Sequence, residues 1–176
     1  MRKLANHELG RKSLEQFKKA SKIPVVVLLD NVRSLNNVGS AFRTSDAFLI
    51  EKIYLCGITG QPPHRDIQKT ALGATESVDW EYVENTGTLV LSLKTRGYTC
   101  LAVEQAVQAQ MLDQYRVATD QKYALIFGNE VYGVNQEVID LCHGVLEIPQ
   151  EGTKHSLNIS VTMGIVLWDF WKALKT

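Results

Sequence analysis

Short apolar segments alternate along the chain with longer segments of mixed polarity. Six apolar segments are rich in β-branched residues and predict strands, at 25–29, 52–56, 80–83, 99–103, 124–127 and 145–148. Helices are predicted at 38–49, 67–72, 88–96, 135–140 and 158–174, and polar loops at 57–66 and 105–121. Because strands that alternate with helices need crossover connections, this order predicts one α/β domain with a mostly parallel sheet covered by helices on both faces.

The N-terminal segment differs from the rest of the chain in its charge. The 176 residues have a formal net charge of zero, yet residues 1–22 contain seven basic and two acidic side chains, a net charge of +5. Residues 2–20 predict an additional helix with Leu4, Leu14 and Phe17 on its inner side. The basic side chains either follow a nucleic-acid backbone or form the solvated face of that helix. We therefore divide the chain into a basic helical extension, 1–22, and a domain, 23–176.

The composition argues against several classes of protein. Cys56, Cys100 and Cys142 are far apart in sequence and do not cluster with the four histidines, so we expect buried free thiols, no disulfide and no metal site. No apolar run reaches the roughly 18–20 residues of a transmembrane helix, and the charged N-terminus lacks the apolar core of a signal peptide. These features predict a cytoplasmic protein. The common dinucleotide, P-loop and serine-hydrolase motifs are absent from the sequence.

Three polar clusters that contain glycine, serine or asparagine follow predicted strands. They read NVRSLNNVGSAFRT at 31–44, GNEVYG at 128–133 and PQEGTKHSLN at 149–158. Each cluster alone could be structural, with glycines that permit tight turns or a serine or asparagine that caps a helix. The carboxyl ends of parallel strands share one edge of a sheet, however, so the three clusters together predict a ligand site. The arginines of the first cluster suggest an anionic substrate.

In order, these clusters resemble the three motifs of the SpoU/TrmH-type RNA ribose 2′-O-methyltransferases of the SPOUT superfamily. The matching positions are Asn31, Arg33, Asn37, Gly39, Arg43 and Thr44 in the first motif, Gly128, Glu130 and Gly133 in the second, and Ser156, Leu157, Asn158 and Ser160 in the third. The resemblance runs from about residue 23 to the C-terminus. It implies a C-terminal trefoil knot, S-adenosylmethionine as methyl donor, an RNA ribose 2′-hydroxyl as acceptor, and a homodimer with its active site near the subunit interface.

The resemblance also implies roles for individual residues. Arg43 corresponds to the catalytic arginine, Asn37 would orient the ribose or Arg43, and Glu130 would hold this polar network. Ser156 and Asn158 would line the place where cofactor and ribose meet. The predicted cofactor-binding residues are Val103, Glu104, Gly128, Asn129, Gly133, Ile148, Ser156 and Leu157. The predicted RNA-binding residues are Lys18, Lys19, Lys22, Arg33 and Arg43.

The short segment before the first strand is similar to the compact tRNA-modifying members of this family, which favours tRNA over rRNA. Three alternatives stay open: an rRNA 2′-O-methyltransferase, an RNA-binding protein of the same fold that has lost catalysis, and a related methyltransferase that acts on a base. Arg43 would either help to deprotonate the hydroxyl or stabilise the developing alkoxide. Since an arginine is always protonated in proteins, we favour the second role.

Overall fold

A seven-stranded parallel sheet forms the centre of the protein. The computed structural model describes residues 1–175; Thr176, with which the predicted domain ends, lies outside them. The strands are Ile23–Asp30 (β1), Ile50–Cys56 (β2), Trp80–Val83 (β3), Tyr98–Val103 (β4), Gln110–Met111 (β5), Lys122–Phe127 (β6) and Gly144–Glu147 (β7). Their order in the sheet is β3-β2-β1-β6-β4-β7-β5, and every neighbouring pair is parallel. The predicted α/β class with a mostly parallel sheet is confirmed.

Seven α-helices accompany the sheet in the described part of the chain. They are Leu14–Lys19 (α1), Leu35–Ala47 (α2), Arg65–Ala71 (α3), Ala74–Ser77 (α4), Thr86–Thr95 (α5), Gln136–Leu141 (α6) and Ile159–Leu174 (α7). Each predicted strand and helix of the domain occurs, with bounds that differ by at most three residues. The sequence did not predict α4 or β5, which are two of the shortest elements. None of the helices within residues 1–175 is long and apolar enough to cross a membrane.

The two faces of the sheet bury two separate apolar cores. Alternate side chains of β1 point to opposite faces, so Val25, Val27 and Leu29 pack in the core beneath α2, α3 and α7. Val26 and Leu28 pack on the other face, against α5 and α6. This arrangement explains why β1 is an unbroken apolar run, and it confirms the prediction of helices on both faces.

The N-terminal segment differs from the prediction. Its α-helix is six residues long, and a 3-10 turn at Asn6–Glu8 precedes it. Helix α1 begins where Ser13 and Gln16 form a capping box, in which each side chain accepts a hydrogen bond from the main-chain N–H of the other. Gly10 has a φ of 60°, which is incompatible with a right-handed helix, so the predicted helix over 2–20 is interrupted at this residue. Phe17 is buried as predicted, whereas Leu4 and Leu14 are exposed, so their placement on an inner face was wrong.

Gly39 is the contact point between α2 and α3, and we predict that Gly39→Ala destabilises the protein. A Cβ atom at this position would lie 2.1 Å from Thr70 Oγ1 and 2.2 Å from the carbonyl oxygen of Ile67. Because one of these neighbours is main chain, the helices must separate, at a cost of about 1–3 kcal/mol. Urea denaturation measures this change. Gly152→Ala is the control, since no atom lies within 4 Å of its new Cβ, and an equal loss in both variants would contradict the packing argument.

Candidate active site

A cavity of about 420 Å³ lies at the carboxyl edge of the sheet. The ends of β4, β6 and β7 and the segment that leads into α7 form its walls. These three strands are neighbours in the sheet, so their following loops meet although they are distant in sequence. The second and third motif clusters therefore line one cavity, which is where ligands bind in open α/β sheets.

All eight predicted cofactor-binding residues line this cavity. They are Val103, Glu104, Gly128, Asn129, Gly133, Ile148, Ser156 and Leu157. Glu130 and Asn158, two of the predicted catalytic residues, line it as well. The structure thus brings these positions together, and their roles in binding and catalysis stay predictions.

The carboxylate of Glu130 joins the first motif cluster to the second. It accepts hydrogen bonds from the main-chain N–H groups of Arg33 and Ser34, both at 3.0 Å, and from Asn37 Nδ2 at 2.9 Å. Partial burial alone would raise the pKa of Glu130, but the hydrogen bonds from Arg33, Asn37 and Ser34 outweigh it and hold the pKa below its ordinary value. The group is therefore a fixed, ionised acceptor.

Asn158 extends this network to the third motif cluster. It is the N-cap of α7, and its Oδ1 accepts hydrogen bonds from Ser160 N–H at 2.8 Å and from Ser160 Oγ at 2.6 Å. Its Nδ2 donates to Asn37 Oδ1 at 3.4 Å. One continuous series of hydrogen bonds therefore runs from Glu130 through Asn37 to Asn158, with Asn37 as its middle member.

A residue that the sequence analysis assigned no role, Asp30, anchors the loops behind the cavity. Its buried carboxylate accepts hydrogen bonds from Asn31 Nδ2 at 3.0 Å, Thr86 Oγ1 at 2.5 Å and Asn135 N–H at 3.1 Å. These donors begin the first motif cluster, α5 and α6. The signal in the sequence was an aspartate that directly follows a wholly apolar strand.

Asn31 and Asn129 connect the neighbouring loops. Asn31 adopts a left-handed conformation with φ of 58°, which asparagine tolerates better than most residues. Its main-chain carbonyl accepts from Asn129 Nδ2 at 2.8 Å, and Asn129 Oδ1 accepts from the N–H groups of Val131 and Tyr132 at 2.9 and 3.2 Å. The side-chain amide of Asn129 thus forms hydrogen bonds within the protein and joins the loop after β6 to the loop after β1.

Glu104 has a comparable structural contact. Its carboxylate accepts from Val134 N–H at 3.0 Å and Gln105 N–H at 2.8 Å. A Cβ atom at Gly133, where φ is 68°, would lie 2.0 Å from Glu104 Oε2. Gly133 therefore both permits the turn and makes room for the carboxylate that holds it.

Arg43 lies away from the other predicted catalytic residues within one chain. It is exposed on α2, six positions after Asn37, which places it about 9 Å further along the helix and rotated by roughly 240° around it. Among residues 1–175 it is not one of those that line the 420 Å³ cavity. It lines instead a second concavity of about 580 Å³, shared with Arg11, Lys12 and the start of α4.

The predicted RNA-binding side chains fall into two groups. Lys18, Lys19 and Arg33 are exposed. Lys22 is engaged locally, since its ammonium donates to the carbonyl oxygens of Phe17 and Ala20 at the end of α1 and lies 4.2 Å above the Phe17 ring. Burial lowers the pKa of Lys22, and the nearby Asp79 and Asp46 partly offset this effect. Lys22 therefore supports α1 and is a poor candidate for a phosphate contact.

The cysteines are free thiols, as predicted. Cys56 and Cys100 are buried and Cys142 is partly buried. Burial raises the pKa of Cys56 to about 12 and that of Cys100 to about 11, so neither is a reactive thiolate at neutral pH. In the described part of the chain, no group of three or more His, Cys, Asp or Glu side chains is arranged to hold a metal ion.

Comparisons with known proteins agree with this geometry. The sequence model of the SpoU rRNA Methylase family matches residues 24–168. A tRNA (guanosine(18)-2′-O)-methyltransferase from Thermus thermophilus is 28% identical over 162 residues, 92% of this chain and 81% of the relative. A 23S rRNA (guanosine-2′-O-)-methyltransferase from Neisseria meningitidis serogroup B is 27% identical over 147 residues, 84% of this chain and 58% of the relative.

A solved structure shares the fold. It is the AdoMet-bound rRNA methyltransferase from Sinorhizobium meliloti, with a TM-score of 0.80 and 24% identity. The match covers 90% of this chain and 62% of that one. The chain thus spans less than two thirds of this structure and of the Neisseria relative.

We predict that Glu130→Gln destabilises the protein in a pH-dependent manner. Glutamine has one acceptor oxygen, so at least one donor loses its partner, at a cost of about 1–2 kcal/mol near pH 7. Because folding lowers the pKa of Glu130, its contribution is present above the ordinary value of 4.5 and is lost as pH falls through the folded-state value. Urea denaturation across this range should show the two proteins converging at acid pH.

The control for this prediction is Glu151→Gln, a change of the same kind at an exposed loop residue. It should leave stability within about 0.5 kcal/mol at every pH. A difference between wild type and Glu130→Gln that stays constant with pH would contradict the role of the ionised carboxylate.

Proposed function

The chain belongs to the SpoU rRNA methylase family, and we propose that it transfers a methyl group from S-adenosylmethionine to a ribose 2′-hydroxyl of RNA. The observation that carries this proposal is the continuous network from Glu130 through Asn37 to Asn158 beside one cavity. It unites the three motif clusters at the edge where a cofactor and a ribose would have to meet.

The cavity suits the nucleoside part of such a cofactor. Its volume of about 420 Å³ lies within the ordinary range for small-molecule sites, about 300–1,000 Å³. Val103, Leu146, Leu157 and Ile148 would supply apolar surface for a flat base. The main-chain groups of 128–133 that are not hydrogen-bonded within the loop would supply polar contacts for its edge. When bound, S-adenosylmethionine would supply the methyl group to the ribose oxygen, with cleavage of the carbon–sulfur bond, release of S-adenosylhomocysteine and loss of the hydroxyl proton to solvent.

The residues of the network would position the acceptor ribose. Glu130 and Asn158 fix both ends of the Asn37 amide, so it presents its remaining hydrogen-bonding capacity in one direction. Ser156 lines the cavity close to Asn158 in sequence, and its hydroxyl would contact the cofactor or the ribose. Preorganised groups of this kind lower a barrier chiefly by fixing the reacting atoms in line.

We propose further that Arg43 acts in the cavity of a second subunit. Helix α7 has an exposed apolar stripe, formed by Val161, Ile165 and Trp168, whose spacing places them on one face. The ring of Trp168 lies 5.9 Å from that of Phe48, the residue that ends α2. A second copy that covers this stripe would therefore lie beside the helix that carries Arg43 and complete the site.

In this arrangement the permanent positive charge of Arg43 would stabilise the developing alkoxide or an adjacent phosphate. The proposed acceptor is tRNA in preference to rRNA, with the exposed Lys18, Lys19 and Arg33 as contacts to its backbone. Relatives with each of these two substrates in their names match the chain. The trefoil knot, the cytoplasmic location and the separate extension at residues 1–22 stay predictions.

Arg43→Ala should abolish methyl transfer and leave cofactor binding intact. Loss of an electrostatic stabiliser of the transition state lowers the rate by about 100-fold or more. Incorporation from tritiated S-adenosylmethionine into separate tRNA and rRNA fractions measures the rate and identifies the substrate class. Calorimetry measures cofactor affinity.

Arg65→Ala, which removes an exposed arginine outside the cavity, is the control for Arg43→Ala and should retain full activity. Full activity of Arg43→Ala would refute its assigned role. Failure of the wild-type protein to bind S-adenosylmethionine would favour the alternative of an RNA-binding protein without catalysis.

Mixing two inactive variants tests whether Arg43 acts across subunits. In heterodimers of Arg43→Ala and Asn158→Ala, one site would combine an intact Asn158 with the intact Arg43 of the other subunit. After random exchange of subunits, we expect about a quarter of wild-type activity. If both residues serve the same chain, no site is intact and the mixture stays inactive, which would contradict the proposal.

A further inference from the structure

Tyr132 has no assigned role in the reaction described above, although it is an exposed aromatic residue at the cavity. It lines the cavity on the 128–133 loop, and the residue is 84% exposed. Within residues 1–175 its ring has no aromatic neighbour. The neighbouring Val131 is exposed as well. A large ring that contacts so little of its own chain contributes little to folding stability.

The loop that carries Tyr132 is held firmly in place. Asn129 and Gly133 are joined by two main-chain hydrogen bonds, both at 2.9 Å, and Asn129 Oδ1 accepts from the N–H groups of Val131 and Tyr132. The carboxylate of Glu130, which follows Asn129 in the loop, accepts three further hydrogen bonds from the first motif cluster. The main chain of Tyr132 is thus ordered at a defined place beside the cavity, so its ring is presented to solvent at low entropic cost.

On the basis of the proposed function, we propose that Tyr132 is a stacking platform for a nucleobase of the RNA, at or next to the methylated nucleotide. A ribose that reaches Asn37 and Asn158 carries its base on the carbon adjacent to the 2′ position. That base and its neighbours must therefore lie around the cavity mouth. Unpaired bases are recognised in RNA by stacking on aromatic side chains, and the exposed ring and the flanking Val131 offer such a surface.

Stacking also agrees with the charge of the site. The domain beyond residue 22 has a net charge of −5, since the whole chain is neutral and the first 22 residues carry +5. Attraction to phosphate is therefore weak over most of its surface, and a contact that does not depend on charge would add affinity where the cavity lies. Base stacking is tolerant of sequence because each base has a π-face.

Tyr132→Ala, Tyr132→Leu, Tyr132→Phe and Tyr132→Trp test this proposal. The readout is filter binding of total tRNA from cells that lack the protein, in the presence of S-adenosylhomocysteine. Since stacking is worth about 1–3 kcal/mol per base, we expect alanine to weaken affinity roughly 5- to 150-fold. Phenylalanine and tryptophan should retain affinity within about threefold, and leucine should behave like alanine because it lacks a π-face.

Two measurements separate stacking from damage to the loop. The urea-denaturation midpoint should be unchanged in all four variants, because the exposed ring contributes little to folding stability, and Tyr82→Ala should bind tRNA like wild type. Tyr82 is the matched control because it is a 39% exposed tyrosine on the edge strand β3, outside the cavity.

Several results would overturn the proposal. Equal tRNA affinity of Tyr132→Ala and wild type would do so, as would recovery of affinity by leucine. A loss of the dimer in Tyr132→Ala, detected by sedimentation, would assign the ring to the partner subunit instead. The readout is binding, so it also distinguishes the two proposals: wild-type protein that binds tRNA through Tyr132 but transfers no methyl group would refute the proposed reaction alone.

Discussion

Three N–H groups converge on the carboxylate of Glu130, and the positions of the cavity walls depend on that convergence. Two of them are main-chain groups at the start of the first motif cluster, and the third belongs to Asn37. An ionised acceptor with three donors favours one arrangement of these loops, because a shift of either loop would exchange charge-assisted hydrogen bonds for bonds to water. The loop after β6 is therefore fixed to the loop after β1, and Asn37 is in turn fixed against the start of α7.

Other polar side chains at this edge already form hydrogen bonds within the protein. Asp30 holds the beginnings of α5 and α6, Glu104 holds the turn at Gly133, and the Asn129 amide holds the loop after β1. Loops normally lie at the surface with few restraints. Here the hydrogen bonds of carboxylate and amide side chains hold the loops in position. This explains why the three clusters contain more polar residues than a reaction would need. Some of these polar residues hold the loops in place, and others line the cavity.

Two features of the described chain lack a partner within that chain. Arg43 lies outside the cavity that its motif partners line, and the stripe of Val161, Ile165 and Trp168 is an exposed apolar face on α7. The second copy of the chain that we propose would account for both features. Burial of such a stripe would stabilise association, and it would place a cation near a cavity whose own lining is mainly neutral and acidic.

The sequence by itself determined the order and type of the main elements, since the periodicity of apolar residues is a local property. It also identified the motif residues that line the cavity and the family to which the chain belongs. The tertiary structure alone decided which polar groups are consumed by the fold. In the folded chain Asp30 holds the loops behind the cavity, and Lys22 binds the carbonyl groups at the end of α1. Leu4 and Leu14 are exposed, and Arg43 lies outside the cavity beside which Asn37 is placed. The reason is that a hydrogen bond or a buried contact depends on where distant segments meet in space, and a local sequence pattern does not contain those distances.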